Sequence, residues 1–199
     1  MTLVLSDWPD AVAGLLFLSG LMMLASEDWR WLLVNLAVAY GGAAALIALA
    51  WPPTLAATVL VAGWMAVSVL GLSQRRATTT ATTRTSAQVL RLLAGFVAIL
   101  LAIVFARPLM TWLPPLNLSQ AWGGLALLIL GILQVGLRST RPLWVIAGLL
   151  TVLAGFEVVY AALEQSLLLA GLLALIVVAL ALAGGYLLVQ EETLAEDAL

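Results

Sequence analysis

Cysteine and histidine are both absent from the 199 residues. That removes disulfides, thiolate and imidazole metal sites, and every Ser-His or Cys-His catalytic arrangement. Charge is scarce as well, with only 9% of residues Asp, Glu, Lys or Arg. The ten acids do not fall into the paired spacing of a metal or hydrolase site, and there is no glycine-rich phosphate loop. The eight basic residues, all Arg, are dispersed, so a nucleic-acid footprint is missing too. No catalytic residue, metal site or cofactor is expected, and no nucleic-acid partner.

What remains is apolar. Hydrophobic residues make up 64% of the chain and the mean hydropathy is +1.16, values of a polytopic membrane protein whose first partner is the lipid bilayer. The expected fold is all-α with about seven transmembrane helices, near residues 9–25, 31–50, 54–72, 89–106, 121–137, 142–163 and 166–189. The first is short for a span, and the acidic stretch before it lacks the basic region of a signal peptide, so it reads as a retained helix. Trp51-Pro52-Pro53 forces a reversal after the second helix. Ser73 to Gln88 reads as a solvated polar loop, and Arg107-Pro108 as the end of the fourth helix. Ser139 or Thr140 is expected to cap the sixth helix, with Pro142 in its first turn.

Arginine placement orients the spans. Arg30, Arg75, Arg76, Arg84, Arg91, Arg138 and Arg141 fall on one side and only Arg107 on the other. The positive-inside rule then puts the N-terminus outside and the acidic tail, residues 191–199, in the cytoplasm of an integral cell membrane protein. Trp8, Trp51, Trp112 and Trp122 map to the outer boundary and Trp29, Trp31 and Trp144 to the inner one, leaving Trp64 mid-helix in need of a packing explanation.

Helices one to three and five to seven share direction, a polar turn after the first helix and a very short outer turn after the second. This suggests a single membrane domain built as two parallel three-helix units. Residues 1–76 form one, 121–190 the other, and residues 77–120 supply a basic loop, a crossover helix and an outer loop.

One carboxylate interrupts the apolar pattern. Glu157 lies about fifteen residues into the sixth helix, roughly 22 Å along at ~1.5 Å per residue. A charge at such depth costs on the order of 3 kcal/mol, so intramembrane acids face protein or water and are functional candidates. Leu150, Leu153, Ala154, Glu157, Ala161 and Glu164 share one broad face, with Tyr160 at its edge. Glu157, Glu164 and Tyr160 are the proton-transfer candidates, although Glu164 also reads as an ordinary interface charge. Gly148 and Gly155 mark the opposite face as a close helix contact, so helix six needs cover on two sides. Asn35, Tyr40 and Gln134 are read as interhelical hydrogen bonds.

The run Gly124 to Gly131, the basic turn Arg138 to Arg141, and the core Gly155-Phe156-Glu157 resemble the three-helix K subunit of respiratory complex I. The C subunit of multisubunit sodium/proton antiporters belongs to the same group, and by length and plan the whole chain looks like component E of hydrogenase-4. The resemblance covers about residues 121–190. It implies a bacterial inner-membrane subunit of an NADH-quinone oxidoreductase-like or hydrogenase-like assembly, working in proton translocation beside antiporter-like subunits, without catalysis of its own. One departure stands out. Proton-carrying members have a second carboxylate in the following helix, whereas residues 167–189 hold no ionisable group but Tyr186. The residues alone leave open a structural or accessory membrane protein and a small-solute transporter.

Overall fold

Residues 8–74 and 85–196 are described by the structure, a computed structural model. Arg75, Arg76, Arg84 and the end of the acidic tail lie outside the described residues. Seven helices are present: α1 (Trp8–Ala25), α2 (Trp29–Ile47), α3 (Pro53–Ser73), α4 (Thr85–Trp112), α5 (Leu118–Leu137), α6 (Pro142–Ala161) and α7 (Leu167–Glu196). Each is long and apolar enough to cross a membrane, and no strand occurs among the described residues.

Local chemistry sets the ends. Asp28 caps α2, its carboxylate accepting from the Arg30 backbone N–H at 2.9 Å. Asn117 and Gln120 form a capping box that starts α5 at Leu118, three residues before the expected start. Pro53 and Pro142 occupy first-turn positions where no donor is required. The expected hydroxyl cap of α6 is not formed. Arg141 takes the cap position without a side-chain cap bond, because the turn closes through its own backbone, Arg141 N–H to Arg138 C=O at 3.0 Å.

α4 runs through Pro108, six residues past the expected end. The proline removes one helical donor. Helical bonding then resumes, with Leu113 N–H to Leu109 C=O at 2.9 Å, and Leu109, Met110 and Leu113 pack on buried Ala106, Leu116 and Ala121. Apolar burial on both sides of the proline keeps the helix going. At its other end α4 begins at Thr85, inside the stretch read as loop.

α6 is the most enclosed helix and α4 the least, with 61% and 22% of their spans buried. The cover α6 needs comes from the chain itself. α5 packs against its glycine face, and α2 and α7 against the others. A Cβ on Gly131 would lie 2.7 Å from the Gly148 carbonyl, and one on Gly155 would lie 2.7 Å from the Gly124 carbonyl, so the α5 and α6 backbones are in contact. The largest core joins Leu16, Met23, Leu36 and Tyr40 to Leu150, Ala154 and Val158. Elsewhere α1 lies beside α5, α2 beside α6, and α3 beside α7, while α4 rests on α5 and α1.

The outward faces are apolar, with Leu93, Phe96 and Val104 of α4 and Leu168, Leu175 and Leu182 of α7 exposed. Such a surface is suited to lipid and not to water. Trp64 belongs partly to it. It is half exposed, and its indole N–H donates to the Ala37 carbonyl of α2 at 3.3 Å, which accounts for its mid-helix position. Two belt assignments need correction. Trp51 is 3% exposed and donates to the Glu164 carbonyl at 2.9 Å, so it locks the α2–α3 and α6–α7 turns together. Trp144 is likewise buried, beneath arginine side chains.

Candidate functional site

Glu157 sits on α6 where that helix is held by α2 on one side and α5 on the other. It is 1% exposed, and neither carboxylate oxygen has a hydrogen-bond partner among the described residues. Because α6 ends at Ala161 rather than near 163, Glu157 is only about one turn, ~6 Å, from the helix's C-terminal end. Neighbouring helices and turns enclose it more than depth does. Above it, the α6–α7 turn is tied to the α2–α3 turn by Trp51 to Glu164 and by the Gln165 amide to the Ala50 carbonyl. Gln120 adds a bond to the Leu46 carbonyl at 3.0 Å, joining α5 to the end of α2.

Tyr40 of α2 is fully buried, in the core that α2 shares with α6. Its buried hydroxyl donates to the Leu150 carbonyl at 3.0 Å, bridging α2 to α6. The ring lies directly on Gly63 of α3, where no Cβ could fit. Gln134 also bridges helices, its amide donating to the Trp144 carbonyl at 3.1 Å. Asn35 does not. Its amide donates to Trp31 of its own helix at 2.7 Å, since at an exposed position the nearest acceptor is the carbonyl one turn back.

The other two proton-transfer candidates meet each other. The Tyr160 hydroxyl donates to Glu164 at 2.9 Å, and its ring stacks on exposed Phe156 at 5.5 Å. No hydrogen bond joins this pair to Glu157 among the described residues, so the three do not form one chain of contacts.

At the opposite end lies a cluster that sequence reasoning missed. Glu27, in the α1–α2 turn, accepts from Arg138 at 3.1 Å, from Arg141 at 3.2 Å and from Arg91 of α4. Arg138 also donates to the Leu24 carbonyl at 3.2 Å. The Trp144 ring lies 5.2 Å from both the Arg138 and Arg141 guanidiniums, and its N–H reaches the Ser26 carbonyl at 3.3 Å. The α1–α2 turn, α4 and the α5–α6 turn are thereby pinned by one carboxylate. Burial lowers the Arg138 guanidinium to about 10; Glu27 opposes the fall and Arg91 and Arg141 add to it. In the sequence these residues look like topology markers and a polar break. The usable signal was that Glu27 and Asp28 are the only acids in the turns on the arginine-rich side.

Chemically, the two sites differ. Glu157 is a carboxyl that could take up and release a proton once water or a donor reaches it, whereas the arginine cluster carries excess positive charge at a span boundary. No group of three or more Asp and Glu able to hold a metal ion occurs among the described residues. No family model matches this chain, and searches of curated proteins and of solved structures return no match either.

Proposed function

We propose that the chain is an integral membrane subunit of an ion-translocating assembly of the complex I-like or hydrogenase-like kind, with Glu157 as its buried protonatable site and no catalytic chemistry of its own. The observation that carries this reading is a fully enclosed carboxylate whose two oxygens lack any partner among the described residues. A carboxyl kept only as structural glue needs something to bind, and an unsatisfied one costs about 1–3 kcal/mol. A partner subunit is poorly placed to supply the missing bond, because the chain's own helices leave Glu157 1% exposed. A role in which the group exchanges a proton during a moving cycle accounts for keeping it.

The duplicated plan belongs to the same proposal. The side-by-side neighbours α1 and α5, α2 and α6, and α3 and α7 are the pairs that two parallel three-helix units would bring together, with α4 as the crossover. Antiporter-like subunits are the proposed partners, the N-terminus is outside and the C-terminus cytoplasmic.

A structural or accessory role is the second reading, favoured by the separation of the Tyr160–Glu164 pair from Glu157 and by the absence of a second acid among residues 167–189. Small-solute transport has less support, since no described helix is broken around a polar interior. The deciding experiment is proton pumping by the purified assembly in vesicles, comparing wild type with Glu157→Gln and checking subunit content in the same sample. Intact assembly with pumping lost supports the proposal. Normal pumping removes Glu157 from the mechanism and leaves a structural subunit.

A further inference from the structure

The Glu27 cluster does not balance. Among the described side chains, one carboxylate faces three guanidiniums, Arg91, Arg138 and Arg141, an excess of two positive charges. Nearby Asp28 accepts from the Arg30 backbone and the Arg30 guanidinium lies over Trp29, and these two residues add one charge of each sign. Arg138 is 3% exposed, and its Nε and Nη1 have no acceptor in the described structure. The bonds to Glu27 and to the Leu24 carbonyl both come from Nη2, whereas buried donors are ordinarily all satisfied. Arg141 meanwhile keeps a side chain 41% exposed beside it, giving the excess charge an open edge.

Position narrows what could supply the missing negative charge. Arg138 immediately follows Leu137, the last residue of the α5 span, so the cluster lies at the height where lipid headgroups meet hydrocarbon. Its flanks are apolar and outward-facing, with Leu90 and Leu92 on either side of Arg91 and Leu137 beside Arg138. A free anion would use the charge and leave these flanks unused. A lipid would use both.

We propose that Arg91, Arg138 and Arg141 around Glu27 form a binding site for the phosphate of an anionic phospholipid, with acyl chains on the flanking leucines. Arg141 makes the direct contact and Arg138 supplies buried charge behind it. Basic pockets at helix ends attract anionic headgroups by about 1 kcal/mol per arginine, equivalent to roughly fivefold in affinity.

Native mass spectrometry of the full chain in detergent, titrated with phosphatidylglycerol or with phosphatidylcholine of the same acyl chains, tests the site. Phosphatidylglycerol is expected to be retained about tenfold better. Arg141→Gln should lower its retention roughly fivefold, while Arg30→Gln, at the same end but outside the cluster, should leave it unchanged. Equal retention of the two lipids by wild type overturns the proposal, and this comparison needs no variant to fold. So does an equal loss in the Arg30 and Arg141 variants, which would mean a diffuse attraction to a basic surface. Displacement of the lipid by an equal concentration of inorganic phosphate would also overturn it, by reducing the site to one for free anions.

Discussion

Replacing Glu157 with Leu is expected to stabilise the fold. In wild type the carboxylate is 1% exposed with neither oxygen bonded among the described residues, so folding removes its hydration and returns no hydrogen bond. That loss is worth about 1–3 kcal/mol for a neutral group and more for a charged one. Leu has a similar volume and is apolar like the buried Ala154, Val158 and Ala161 of the same helix, so no cavity penalty offsets the gain. Reversible unfolding by SDS in bicelles should therefore give a gain of about 1–3 kcal/mol for Glu157→Leu. Glu157→Gln, which keeps an unpaired polar group of the same shape, should stay within about 1 kcal/mol of wild type. On the proposed role of Glu157, both variants should lose translocation. A Leu variant less stable than wild type by more than about 1 kcal/mol would refute the reasoning, because it would mean that the carboxylate has a partner whose loss is felt.

Glu27→Gln should destabilise by about 3 kcal/mol in the same assay, since it leaves the buried Arg138 charge unpaired. Arg141→Gln, with a side chain 41% exposed, should cost less than about 1 kcal/mol, and equal effects of the two changes would contradict the cluster's geometry. Gly155→Ala puts a methyl 2.7 Å from the Gly124 carbonyl and the Leu128 N–H group, and should cost about 1–3 kcal/mol; Gly136→Ala, with open space around it, should be nearly silent. For topology, a cysteine at Asn117 should react with an impermeant reagent from outside while a C-terminal tag stays protected, and equal labelling of both would sink the orientation.

Hydropathy and proline placement carried the seven helices, since both act within one segment and need no partner. Boundaries moved where tertiary contact overrode them. α4 passed Pro108 because Leu109 and Met110 found a core on the far side, and α2 stopped at Ile47 as the next residues turned to bring Trp51 under Glu164. The buried Glu157 was legible because an acid in an apolar run is a local anomaly. The Glu27 cluster was not. Its partners are 64, 111 and 114 residues away, and each arginine taken alone looks like an ordinary span-flanking charge. Asn35 failed for the opposite reason, since its partner is one turn away on its own helix.

The glycine contacts between α5 and α6 have a mechanical consequence. Gly131 meets Gly148 and Gly124 meets Gly155, two notches seven residues apart on each helix, or ~10.5 Å. Sliding one helix by a single turn would drive a leucine or valine side chain into a backbone that has room for hydrogen only. The two helices therefore travel as a strut, and Glu157 is fixed to it. Any opening that wets the carboxylate has to be made on the strut's other flanks, by α2 with Tyr40 or by α7, so a crosslink between α5 and α6 should leave the working cycle intact while one between α2 and α6 should arrest it.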